Sequence, residues 1–116
     1  MAVRIKTVNL KADMPTVREA LKRFDQEIAR APQEGVLILK IIHGYGSSGS
    51  GGDIRIAVQK RLHELRESGN ISTYIFGEDW SRSDETSWQL LQTHPELKSD
   101  HDLGRNNRGI SLAILH

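Results

Sequence analysis

The stretch that decides the fold reads Gly35-Val36-Leu37-Ile38-Leu39-Lys40-Ile41-Ile42-His43-Gly44-Tyr45-Gly46-Ser47-Ser48-Gly49-Ser50-Gly51-Gly52-Asp53-Ile54-Arg55. Its first part is apolar on both faces of an extended chain, as a central strand covered on each side requires. Glycines and serines follow, over residues 43–52. Beyond them Ile54, Ala57, Val58, Leu62 and Leu65 recur on one face of an amphipathic helix, and Gly69 is its natural stop. A buried strand feeding a helix through a short loop predicts an α/β chain with right-handed crossovers and parallel neighbours. Ligands in such sheets favour the carboxyl ends of the strands, where His43 stands.

Upstream, residues 3–10 alternate apolar and polar side chains, but the phase changes at Thr7, which predicts a strand with a bulge or two short pieces. Thr16-Val17-Arg18-Glu19 has the form of a capping box, so a helix should start there. Val17, Ala20, Leu21, Phe24 and Ile28 give it one buried stripe, and Pro32 places its end near Arg30. Downstream, residues 71–76 and 110–115 supply two further strands. The predicted order is β-α-β-α-β, an insert at about residues 77–108, then β. The insert is polar, yet Trp88, Leu90, Leu91 and Leu97 predict a short docked helix, with Trp80 and Trp88 as its anchors.

Composition narrows the function classes. A chain of 116 residues, 37% hydrophobic and 27% charged, builds one modest core, so residues 1–116 are expected to form a single domain. Without cysteine there is no disulfide, no thiolate-bound zinc and no thiol nucleophile; a reducing, cytoplasmic setting is expected. The first six residues carry charges where a signal peptide needs an apolar core, and the apolar run 36–39 is far too short to span a bilayer, so no membrane role is expected. A net charge of +1 excludes a polycation and makes any anion site local. Lys40, Arg55, Lys60, Arg61 and Arg66 crowd the middle of the chain while acids gather over residues 78–85.

The loop is the chemical focus. Glycines accept positive φ and let backbone N–H groups approach an anion, and the first turn of the next helix adds more such donors. No Lys-Ser or Lys-Thr follows the glycines, which sets aside the nucleotide-binding P-loop, and the spacing from Gly44 fails the dinucleotide fingerprint. The bland alternative is a flexible connector.

Ile41-Ile42-His43-Gly44-Tyr45-Gly46, then Ile54-Arg55 and Val58, and the closing Gly109-Ile110-Ser111-Leu112-Ala113-Ile114 resemble the Smr (small MutS-related) domains, as does Thr16-Val17-Arg18-Glu19-Ala20-Leu21. The resemblance implies a two-layer α/β sandwich with a mixed sheet, similar to the C-terminal domain of translation initiation factor 3. It also implies binding of DNA or RNA, with nicking endonuclease activity in some members and Mg²⁺ or Mn²⁺ as the metal if the chain is a nuclease. One family signature is missing. Where the first strand usually ends in Leu-Asp-x-His-Gly, this chain has Val8-Asn9-Leu10-Lys11-Ala12. Asn9 can neither bind a metal as a carboxylate nor hold a base, whereas Lys11 suits a phosphate.

His43 is the candidate catalytic residue, as an acid or base beside the loop. Lys11, Gly44, Tyr45, Gly46, Arg55 and Arg105 are the candidate phosphate and nucleic-acid contacts. Tyr45 would stack on a base, and Arg55 would offer a planar fork from the first turn of the helix. Asp100, His101, Asp102, Arg105, Asn106 and Arg108 cluster in sequence without matching a defined metal site, and read best as a polar lid. A reading from another class makes the chain a protein-interaction module whose loop only connects.

Overall fold

The computed structural model describes residues 4–46 and 51–116. The first strand, β1 (Ile5–Asn9), is unbroken: it pairs in parallel with β2 (Ile38–Ile42), from Ile5 opposite Ile38 to Asn9 opposite Ile42. The expected bulge is therefore absent. The phase change arises because Lys6 takes the helix-facing position next to Val8, where its ammonium pairs with Glu27 at 2.8 Å and Glu34 at 3.0 Å. Ile5 points the other way and is 39% exposed.

Helix α1 (Val17–Glu34) starts with the expected capping box. The Glu19 N–H donates to the Thr16 hydroxyl at 3.1 Å and the Thr16 N–H to the Glu19 carboxylate at 3.0 Å. The helix does not end at Arg30 but runs on through Pro32. Proline removes one N–H from the ladder, yet the last turn is closed from beyond it. Gly35, at φ +70°, donates to Pro32 at 3.2 Å, and Val36 donates to Ala31 at 3.0 Å, a Schellman closure that also buries Ala31. Helix α2 (Gly51–Glu67) includes Gly51 and Gly52, so the connection is shorter than residues 43–52. Residues 47–50, the serine-rich centre of the predicted loop, lie outside the described residues.

The four strands lie in the order β1-β2-β4-β3, with β4 (Ile110–Ile114) antiparallel both to β2 and to β3 (Thr73–Phe76). The expected parallel neighbours occur only between β1 and β2. Strand β3 runs in the same direction as β2, as the α2 crossover demands, but β4 fills the gap between them. That central place explains why all five β4 residues are buried.

Phe24 and Ala20 of α1 and Ile54, Val58 and Leu62 of α2 close one face of the sheet over Val8, Leu39, Ile41 and Ala113. This is the α/β sandwich that the resemblance implies. On the opposite face Ile38, Ile75, Leu112 and Ile114 meet Trp80, Leu90, Leu91 and Leu97 of the insert. Helix α3 (Glu85–Thr93) supplies two of these leucines, and the Asp84 carboxylate caps it by accepting the Ser87 N–H at 3.0 Å.

Only one tryptophan is an anchor. Trp80 is fully buried and donates its indole N–H to Asp100 at 3.0 Å, whereas Trp88 is 53% exposed. It follows the inward-facing Ser87 by one residue, a rotation of about 100° around α3. The lone cation of β2 is explained from the same side: Lys40 pairs with Asp100 at 3.0 Å and Asp102 at 2.6 Å, so the insert brings the countercharges. No helix among the described residues is long and apolar enough to cross a membrane.

Candidate functional site

The end of the sheet where β1, β2 and β3 finish and β4 begins gathers most of the sequence-predicted site. His43 and Gly44 donate their backbone N–H groups to the same carbonyl, that of Gly109, at 2.9 and 3.0 Å. A Cβ on Gly109 would stand 3.5 Å from the Gly44 Cα, so β4 enters directly against the glycine segment. Gly44 and Gly46 both have φ +71°, the left-handed region that makes glycine the fitting residue here. Between them Tyr45 is 58% exposed. A Cβ on Gly52 would come within 3.7 Å of the Tyr45 and Gly46 carbonyl oxygens, which ties this segment to the first turn of α2.

Lys11 belongs to the same end. Its exposed side chain passes Gly44 so closely that its Cδ would lie 3.4 Å from a Cβ placed there. Asn9 shapes the approach: its side-chain oxygen accepts the Lys11 N–H at 3.0 Å, the Asx turn that its amide favours.

His43 is fully buried, with both ring nitrogens engaged. Because a carbonyl can only accept, Nδ1–H donates to Gly44 at 2.6 Å, and Nε2 then accepts the Ser111 hydroxyl at 2.9 Å. Burial, reinforced by the Arg55 charge, holds the imidazole below its ordinary 6.5, against an opposing pull from the Gly44 carbonyl. This histidine is neutral and fastens β2 to β4; in this conformation it offers no free nitrogen to a ligand.

Arg55 reaches the same neighbourhood but is occupied. Its Nη2 donates to the Glu78 carboxylate at 2.7 Å, and both side chains are about a quarter exposed. Arg105 is exposed on the turn that follows Asp102, and no described contact joins it to the glycine segment. Arg108, also exposed, directly precedes Gly109 and is the insert arginine nearest in sequence to this end. Asp100 and Asp102 are committed to Lys40, and Asn107 donates to Asp102 at 2.9 Å. Among the described residues no three His, Asp or Glu side chains gather closely enough to hold a metal ion.

Sequence reading missed Ser111, Glu78 and Gly109. Ser111 lies 68 residues from His43 and Glu78 lies 23 from Arg55, distances at which no spacing pattern pairs one side chain with another. Gly109 is the exception in kind, since a glycine leading into a predicted strand signals close approach of backbone.

This architecture is an Smr-like fold. The chain is similar to the Smr domain of Thermus thermophilus MutS2, seen in a crystal structure, with a TM-score of 0.58 over 96% of this chain and 98% of that one, at 22% identity. A comparison with models of known protein families gave no match, and neither did a comparison with curated proteins.

Proposed function

We propose that the chain is a nucleic-acid-binding domain that grips phosphates at the carboxyl end of β1 and β2. The observation that carries this reading is the packing of Lys11 across Gly44, beside Tyr45 and the start of α2. A cation thus lies against glycine backbone in the left-handed region, and an exposed ring follows in the next residue, a combination suited to tracking a phosphodiester strand. The Smr-like fold supports the same ligand class.

Binding is favoured over cleavage. His43 is buried, neutral and bonded at both nitrogens, which suits a residue that positions the loop better than one that moves a proton on substrate. Asn9, in the place of the family's acid, holds a turn. The test is fluorescence anisotropy with single- and double-stranded DNA and RNA over a range of salt. Binding should weaken with salt, and Lys11→Ala should lower both affinity and salt slope, the slope by about one unit. Salt-independent behaviour, or no effect of Lys11→Ala and Gly44→Asp, would overturn the reading. Incubation of plasmid with Mg²⁺ or Mn²⁺ tests cleavage separately.

A further inference from the structure

Three buried polar atoms on α2 and the insert have no hydrogen-bond partner among the described residues: Nε of Arg55, Nε2 of Gln59 one turn further along α2, and Oε1 of Glu78. Such atoms are costly when left unmet, and in native proteins each asks for a cause. Arg55 and Glu78 could satisfy one another with two parallel bonds, yet they share one, Nη2 to Oε2. A donor and an acceptor are left over from an ion pair that is otherwise close.

Glu78 has little freedom to come nearer. It lies in the 3₁₀ turn Gly77–Asp79, at the root of the insert. Gly77 is pressed so tightly that a Cβ there would fall 1.9 Å from the Asn107 carbonyl oxygen and 2.7 Å from that of Ile110. The backbone that carries Glu78 is thus fixed by the same segment that enters β4 against Gly44. Arg55 springs from the first turns of α2, and both side chains keep about a quarter of their surface in solvent. The pair is reachable from outside and incomplete within.

We propose that Glu78 is an internal competitor for the anion site: its carboxylate occupies Arg55 in the free protein, and a ligand phosphate takes its place. The exchange rests on the phosphate-binding reading above and gives it a selectivity rule. A phosphate that only approaches the surface meets an arginine already neutralised; one seated deep enough to use the idle Nε–H as well gains two bonds and displaces the carboxylate. Glu78 therefore sets a threshold that favours closely fitted phosphates over loosely attracted anions.

The experiment compares Glu78→Gln with Asp79→Asn, which removes the same charge one residue away. With fluorescein-labelled single-stranded oligonucleotides, Glu78→Gln should bind about fivefold tighter than wild type. Asp79→Asn should stay within about twofold. In an Arg55→Gln background the gain from Glu78→Gln should vanish. Equal effects of the two acid substitutions, or a gain that persists without Arg55, would overturn the proposal. The Arg55 Nε–H resonance supplies an independent readout during titration with inorganic pyrophosphate. It should shift in wild type, and at lower concentration in Glu78→Gln; a resonance that stays still in both overturns the exchange. If no variant binds an oligonucleotide while that resonance still moves, nucleic acid is the wrong ligand and the exchange stands.

Discussion

On one face of the sheet α1 and α2 bury an apolar stripe against Val8, Leu39 and Ile41, and the residues that hold those helices in place are local: a capping box at Thr16 and glycine closures at Gly35 and Gly69. The opposite face is closed by the insert, which brings Trp80 and three leucines but also carries two acids to Lys40 in the middle of β2. The first face is held mainly by burial along regular elements, with Lys6 of β1 paired to Glu27 and Glu34 of α1 at its margin. The second depends on a few long-range contacts that must all be right together. That contrast predicts that single changes hurt the insert face more, and in a different pattern.

The largest effect is expected at Gly77. Gly77→Ala forces a methyl group into the Asn107 and Ile110 carbonyls and should cost about 3 kcal/mol or more. Gly35→Ala, on the helix face, meets no atom within 4 Å and carries only the strain of φ +70°, about 1 kcal/mol. Chemical denaturation of the two variants gives the ratio, and equal losses would break the contrast.

Next comes Lys40→Met, which leaves Asp100 and Asp102 partly buried without their cation and should cost about 2–3 kcal/mol. Hydrogen exchange should rise first in the insert. Lys40 holds its proton more firmly than usual, since the bonds to Asp102 and Asp100 outweigh the opposing effect of burial. Lys6→Met, at a more exposed pair on the helix face, should move the midpoint far less.

Acid should loosen the two regions in sequence. Burial holds His43 below 6.5, so the unfolded chain takes up a proton that the native state refuses. Stability from His43 is complete above pH 6.5 and is lost as pH falls from there through the lower native value. Burial would raise the Asp102 carboxyl, but the hydrogen bonds from Asn107 and Lys40 prevail and hold it below 3.8. Its contribution is lost only as pH falls beneath that value. Urea midpoints at pH 7.5 and 5.5 should therefore converge in His43→Gln, while Asp102→Asn should leave that interval unchanged.

The smallest effect sharpens the map of the insert. Trp88→Phe should alter stability by no more than about 0.5 kcal/mol. It leaves Trp80 as the one remaining indole, whose blue-shifted emission then reports docking of the insert directly.

What was legible in the sequence follows the same division. Thr16 and Glu19, the apolar stripes of α1 and α2, and the doubly apolar β2 are local signals, and each gave the right element. Pro32 misled because the bonds that carry the helix past it come from Gly35 and Val36, beyond the proline. The position of β4 was not readable, since nothing local says that a last strand enters between two earlier ones. At the candidate site the glycine segment and Lys11 could be found from residue type, but the engagement of Arg55 by Glu78 and of His43 by Ser111 could not. Those pairings are products of the topology.

The place of β4 also governs how the molecule comes into being. Until residues 110–114 exist, β2 and β3 each present an unpaired edge to solvent, and the strand that joins them must close contacts with β2 across about seventy residues of chain. During synthesis, α1, α2 and three strands are complete while the sheet is still split. A nascent chain stalled before Ile110 then holds one strand pair, β1 with β2, and a lone β3, and arrival of β4 is the step that joins them and removes that hazard of aggregation.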